Sequence, residues 1–225
     1  MKRIHTEVIL GLLAGAMVLV AGCKREYSTV DWVDLGLPSG LLWATRNVGA
    51  TSPEDYGDYF AWGETTTKSY YEFETYIYCN GFYFQLTKYC NYSSFGYNGF
   101  TDNLTILQPG DDAATANYGG RTPTKEEWQE LIYNTPAQWT TRNGVNGLLF
   151  TSSNGNSLFL PAAGLWHSWL SGAGDNGYYW SSSLNTDDPV GPTTAWEFNF
   201  YSGNQGVNGG RRDYGRSVRA VRSAE

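Results

Sequence analysis

Histidine is almost missing from this chain. There are two in 225 residues, His5 and His167. A zinc centre of the usual Cys/His kind needs about four ligands, so none is expected. A Ser-His-Asp triad would have to use His167, which sits in Leu165-Trp166-His167-Ser168-Trp169 and reads as a packed or surface side chain. Positive charge is scarce too, with 15 Lys and Arg against 22 Asp and Glu and a net charge of −7. That balance disfavours nucleic acid, which needs clustered cations, and electrostatic binding to anionic lipid. There is no Gly-x-Ser-x-Gly, no phosphate loop, no dinucleotide fingerprint and no repeat of roughly 20–50 residues. Glu64, Glu72, Glu74 and Glu197 offer no preferred carboxylate pair for glycoside hydrolysis. The expectation is a protein that is not an enzyme, with no catalytic residues, no cofactor and no metal.

Apolar runs long enough to span a bilayer are lacking as well. Val8 to Gly22 holds 15 residues, short of the roughly 20 a transmembrane helix needs. It follows Met1-Lys2-Arg3 and ends in Val20-Ala21-Gly22-Cys23, so it reads as a secretory signal. The Cys after Ala-Gly resembles the lipobox of bacterial lipoproteins, which implies cleavage after residue 22 and lipid on Cys23. Lys24-Arg25-Glu26 partly matches the surface-export signal of Bacteroidota lipoproteins. The expected location is the outer membrane at the cell surface, with membrane contact through the lipid anchor alone. The expected organisation is a leader over 1–22, a lipidated Cys and tether over 23–30, one domain over 31–222 with a Tyr-rich insertion at 65–103, and a tail at 223–225.

Cysteine is limited to Cys23, Cys79 and Cys90. With Cys23 lipidated, an exported protein is left with an even pair, which predicts a Cys79–Cys90 disulfide; two buried free thiols are the alternative.

What the chain does have is rings and turns. Aromatics make up 16% and glycine accounts for 27 residues, which favours a compact, turn-rich domain with a large aromatic core. Val30 to Leu35 and Leu41 to Val48 flank Pro38-Ser39-Gly40 and predict a hairpin. Thr124-Lys125-Glu126-Glu127 is a capping box. Trp128, Leu131 and Ile132 follow at helical spacing, and Pro136 ends the helix after about 10 residues. Asn154-Gly155 between Leu148–Thr151 and Ser157–Leu160 predicts another hairpin. Further strands are expected at Tyr178–Ser182, Ala195–Tyr201 and Ser217–Val221, and a loop over Gly203–Gly215.

Six segments occur in order that together carry a family pattern: Asp34–Thr45, Gly57–Glu64, Asp112–Thr124, Phe159–Gly164, Tyr179–Ser183 and Gly215–Arg219. The chain resembles the Fibrobacter succinogenes major paralogous domain, found in surface lipoproteins of Bacteroidota. The resemblance implies an α+β, C-type-lectin-like fold of the formylglycine-generating-enzyme type, with mostly short antiparallel strands, long loops and one or two short helices. Arg46 stands where relatives often have Cys, and residues 91–225 contain no Cys, so oxidase chemistry does not carry over.

Such a fold implies display of a ligand site on C-terminal loops. Trp180, Asn185, Asp187, Asp188, Tyr201, Asn204, Asn208, Arg211, Arg212, Asp213 and Tyr214 supply the residue types that dominate antibody paratopes, with Arg and Trp as anchors. The layout from Trp180 to Val221 is similar to the variable region of diversity-generating-retroelement proteins. The expected function is a surface lipoprotein that binds a glycan or surface-protein ligand. A structural or adhesin subunit of a surface assembly is the alternative. Calcium held by Asp111-Asp112, Asp175-Asn176 or Asp187-Asp188 is a weaker expectation, since these residues also make turns.

Overall fold

The computed structural model describes residues 30–187 and 191–224. The expected leader, Cys23, Asp188 and most of the expected tether therefore lie outside the described residues.

The chain is α+β, with short antiparallel strands in small sheets and two short helices. Strands β1 (Trp32–Asp34) and β2 (Leu41–Ala44) form the expected hairpin, closed by Gly40 N donating to Leu37 O at 2.9 Å. A long irregular stretch follows, with single 3-10 turns at Phe73–Thr75 and Tyr97–Gly99. Helix α1 (Ala113–Tyr118) comes next. Asp112 caps it by accepting from Ala114 N at 2.9 Å, and the same buried carboxylate also accepts from Thr122 N and Oγ1. The turn out of α1 needs a left-handed residue, and Gly119 supplies it at φ 70°.

Helix α2 (Lys125–Asn134) starts at the predicted box: Thr124 accepts from Glu127 N, and Glu127 reaches back to Thr124 N at 2.8 Å. Glu127 also takes both guanidinium nitrogens of Arg121 at 2.5 and 2.7 Å. Thr124→Ala is expected to cost about 1 kcal/mol in a urea titration, and Thr124→Ser close to none. Equal costs for the two would show that the methyl group, not the hydroxyl cap, matters at this position.

Strands β3 (Ala137–Arg142) and β4 (Val145–Thr151) are joined by Asn143-Gly144, both at positive φ, the requirement of a two-residue type I′ turn. β4 continues through Asn154-Gly155 into β5 (Ser157–Pro161). A small ribbon, β6 (Leu165–Trp166) and β7 (Leu170–Ser171), precedes β8 (Asn176–Leu184), β9 (Thr194–Tyr201) and β10 (Asn204–Arg211). These last three form one sheet in the order β10-β9-β8, and β11 (Val221–Ser223) returns to pair with β2.

Two expectations need correction here. The expected loop over Gly203–Gly215 is a strand for most of its length: β10 (Asn204–Arg211) pairs residue for residue with β9, because a backbone ladder needs few apolar side chains at a sheet edge, and only Gly203 and residues 212–214 turn. The last strand is also displaced, to Val221–Ser223. Ser217 and Arg216 instead make single bridges to Tyr179 and Phe60.

The main core lies where α2 crosses the sheets. Trp128 is fully buried, stacked on Phe198 with centroids 5.0 Å apart and tilted against Trp43 at 4.9 Å. A second cluster gathers Trp62, Tyr89, Trp180 and Val218, and a third sits in the insertion around Tyr71, Tyr76 and Leu86.

The expected Cys79–Cys90 disulfide is not formed. Cys79 Sγ donates to Phe73 O at 2.8 Å, and Cys90 Sγ donates to Tyr92 O at 3.2 Å, so the two thiols are turned to separate carbonyls. Burial pushes both thiols up in pKa and so disfavours the reactive thiolate. Hydrogen bonds staple the insertion instead. Asp102 accepts from Tyr89 N, Cys90 N and Leu104 N, while Asp111 accepts from Tyr78, Lys88 and Tyr89. Burial raises the Asp111 carboxyl, but those three donors outweigh it and hold the pKa below the ordinary range.

Candidate functional site

Alternation along β9 divides the β8–β9–β10 sheet into two faces. Phe198 and Phe200 point into the main core, so Glu197, Asn199 and Tyr201 share the opposite face. Cross-strand partners share a face, which brings Asn176, Tyr178 and Trp180 of β8 and Asn204, Gly206 and Asn208 of β10 to the same side.

A polar ladder runs across this face. Asn208 Nδ2 donates to Asn199 Oδ1 at 3.1 Å, and Asn199 Nδ2 donates to Glu197 Oε1 at 3.2 Å. Glu197 in turn pairs with Arg216, both buried. The Arg216 guanidinium lies 4.2 Å from the Trp180 ring centroid and 5.7 Å from that of Tyr214. The ladder thus passes from exposed Asn208 to a buried ion pair that fixes the inner end. Beside it, Tyr214 lies 5.5 Å from the His167 ring, which is 4.0 Å from Trp169, a ring that is 62% exposed. Gly206 has open space where a side chain would stand: a Cβ there would meet Asn208 Nδ2 alone, at 3.5 Å, so the face is indented between Asn199 and Asn208.

The eleven expected ligand residues separate into groups. Tyr201, Asn204 and Asn208 are exposed on this face, and Tyr214 is half-buried at its side. Arg211 is at the surface but already engaged, with Asp213 at 2.6 Å and Glu72 at 3.0 Å. Asp187 is exposed elsewhere, 3.3 Å from Lys125, and Asp188 lies outside the described residues.

Four of the expected residues are buried and are corrected to structural roles. Trp180 donates its indole N–H to Phe60 O at 2.7 Å, and Asn185 accepts from Asp187 N at 3.1 Å. Asp213 is fully buried against Arg211, and burial raises its carboxyl pKa despite that partner. Arg212 is fully buried, donating to Lys88 O and Tyr89 O of the insertion and to Pro192 O. Trp180 and Arg212 find their partners in segments distant in sequence, whereas Asn185 and Asp213 are satisfied by neighbours two residues away.

Tyr178 and Asn199 belong to the face and were not anticipated. The signal for Asn199 was present in the alternation Glu197-Phe198-Asn199-Phe200-Tyr201, where Phe198 and Phe200 mark the core-facing side.

Among the described residues, no group of three or more His, Cys, Asp or Glu is gathered as a metal site. Asp111 and Asp112 serve separate hydrogen-bond networks. Three of the four carboxylates considered for hydrolysis hold cations: Glu64 binds Lys68, Glu72 binds Arg211 and Glu197 binds Arg216. No helix among the described residues is long and apolar enough to cross a membrane. No family model, curated protein or solved structure matches the chain.

Proposed function

We propose that this chain is a surface lipoprotein whose C-type-lectin-like domain binds a glycan or surface-protein ligand on the outward face of β8–β9–β10. The observation that carries this reading is the Asn208–Asn199–Glu197 ladder, a row of polar groups held on rigid strands and bordered by Tyr178, Tyr201 and Tyr214. Tyrosine gives large, stiff contact area and asparagine gives adaptable hydrogen bonds, the pairing that makes antibody paratopes effective. A site on strands is also better preorganised than one on loops. The six sequence segments and the lipobox support the lipoprotein and fold assignments.

The test is binding of residues 24–225 to a glycan array and a panel of host and bacterial surface proteins. A Tyr201→Ala, Asn208→Ala, Tyr214→Ala variant serves as the comparison. A specific hit is expected to weaken by at least about thirtyfold, given roughly 2 kcal/mol or more for a central anchor. A hit unchanged in the variant would move the site off this face.

A second reading, a subunit of a surface assembly, has its own support. Ile77, Phe82, Tyr83 and Phe84 are exposed on the insertion, and the rings of Phe82 and Phe84 stack at 5.9 Å. Exposed apolar clusters of this sort mark interaction sites. Sedimentation that finds a monomer at high concentration would count against it.

A further inference from the structure

The β8–β9–β10 sheet has two edges, and only one is covered. On the β8 side, Gly164, Ser217 and Ile106 bridge to Gly177, Tyr179 and Ser183. On the β10 side, no segment among the described residues pairs with the strand. A bare edge is a template for another strand, and proteins blunt it with charge, proline, a bulge or short length. β10 has none of these. It is eight residues long, against roughly 5–6 for an ordinary strand, and pairs with β9 without a register shift. From Asn204 to Gly210 it carries no charge and no proline.

The direction of its backbone groups follows from its far end. Arg212 N donates to Thr193 O at 3.2 Å, the pair next in register after Arg211 and Thr194. Bonded and non-bonded pairs alternate in an antiparallel ladder. The even-numbered residues of β10 therefore bond to β9, and the odd-numbered ones turn their N–H and C=O away from it. At the two ends these groups are engaged: Gln205 N donates to Asn204 Oδ1 at 2.9 Å, and Arg211 O accepts from Tyr214 N at 3.3 Å. Between them, Gln205 O and the N–H and C=O of Val207 and Gly209 have no hydrogen-bond partner among the described residues. Gly209 is exposed, and Gln205 and Val207 are half-buried.

The strand that fits this edge is a second β10. Set antiparallel about Val207, two copies place Gln205 opposite Gly209, Asn208 opposite Gly206 and Asn204 opposite Gly210, while Val207 meets Val207. Each amide side chain thus faces a glycine and is not crowded. In this register the outward-turned residues 205, 207 and 209 pair only with one another, so the free backbone groups of one copy meet those of the other. We propose that β10 is a self-association edge through which two copies of this chain form a symmetric dimer, joining their β8–β9–β10 sheets into one. A two-fold axis at Val207 makes the contact isologous and closed, so it stops at two copies. Directly opposed residues share a face, so the two outward faces lie side by side. The dimer requires no ligand on them.

The test uses residues 24–225, which hold every described element, with circular dichroism to show that each variant folds. Sedimentation is expected to find a monomer–dimer equilibrium with a Kd of about 100 μM or tighter. Val207→Pro removes an N–H that β9 does not use, and Gly206→Lys puts a charge where a Cβ meets Asn208 Nδ2 alone. Each is expected to weaken the dimer about tenfold or more. Phe84→Ser, on the insertion, is expected to leave it unchanged. Register is tested by mixing Gly206→Cys and Asn208→Cys chains. Non-bonded pairs bring Cα atoms to about 4.5 Å, within disulfide reach, so the mixture is expected to cross-link under diamide faster than either variant alone. A monomer at about 1 mM would overturn the proposal and leave the edge to an extended segment of another protein. So would a dimer that Val207→Pro and Gly206→Lys both leave intact, one that Phe84→Ser alone removes, or cross-linking of the mixture no faster than of either variant. Ligand binding is scored separately on Val207→Pro, so failure of the dimer is distinguishable from failure of the outward-face site.

Discussion

Raising the pH past about 10 is expected to unfold this protein steeply. Tyr59, Tyr71, Tyr76, Tyr78, Tyr89, Tyr178 and Tyr179 all have phenols pushed up in pKa, in each case chiefly by burial. Tyr71 and Tyr179 are each pushed up to about 12. The hydrogen bonds explain why ionisation is resisted. Tyr59 donates to Ala163 O, Tyr71 to Tyr59 O, Tyr76 to Trp62 O and Tyr179 to Pro161 O. Tyr78 and Tyr89 donate to the Asp111 carboxylate. A phenolate cannot donate, and in these places it would face an acceptor in low dielectric.

The sign follows from proton counts. Above about pH 10 the unfolded chain releases these protons and the native state keeps them, so stability falls as pH rises. The contribution is fully present below the unfolded value near 10 and is lost as pH climbs through the folded values. Each phenol withheld from ionisation costs about 1.4 kcal/mol per pH unit; the fully enclosed Tyr76 and Tyr179 alone give roughly 2.7. The partly exposed phenols add less, because solvent screens them. Against a total stability of about 5–15 kcal/mol, little should survive two pH units. Phenolate absorbance from these seven buried or half-buried rings is expected to rise only together with loss of circular dichroism. A single early rise with the fold intact would show that these rings ionise in place.

Replacing Arg212 is expected to be the most damaging single change in the contacts that hold the insertion. Its Nε donates to Tyr76 Oη at 2.7 Å, and its two terminal nitrogens donate to Tyr89 O, Pro192 O and Lys88 O, each at 2.9 Å. The guanidinium also lies 5.1 Å from the ring centroids of Trp62 and Tyr76. Carbonyl dipoles and π-faces thus replace a counterion and join the insertion to the C-terminal segment. Arg212→Ala removes the donors but leaves their acceptors buried, at an expected cost of about 3–5 kcal/mol. Arg212→Lys should fall in between, since one ammonium cannot match a planar fork of donors. Urea midpoints test the order Arg, Lys, Ala, and limited proteolysis tests whether cleavage begins within residues 65–103. A midpoint for Arg212→Ala within about 1 kcal/mol of the parent would exclude the guanidinium as the anchor.

Neither the buried phenols nor the enclosed guanidinium is marked in the sequence, whereas signals confined to a few neighbours were legible. Thr124 to Glu127 specified the start of α2, because a capping box is closed by residues three apart. Pro38-Ser39-Gly40 and Asn154-Gly155 marked hairpins for the same local reason. The two-residue turn at Asn143-Gly144 was not among the expected hairpins, although Asn-Gly is the residue pair such a turn favours. The strand β10 was hidden because its residues Asn204–Arg211 bury little, and only the partner strand β9 supplies their hydrogen bonds.

The site divides along the same line. Composition of residues 180–214 marked the β9–β10 region, with Tyr201, Asn204 and Asn208 at the surface and Tyr214 half-buried beside them. It could not separate Asn208, exposed, from Arg212, fully buried four residues later, because both are polar and lie in one glycine-rich run. Nor could it pair the cysteines: Cys79 and Cys90 are close in sequence, yet each thiol is turned to its own carbonyl. Sequence by itself determined the acidic, aromatic, histidine-poor character of the chain and the ends of its best-capped elements, since these depend on residue identity and near neighbours. Tertiary structure alone decided which polar side chains are buried and which face outward, because burial is set by segments distant in sequence, as Lys88, Tyr89 and Pro192 closing over Arg212 show.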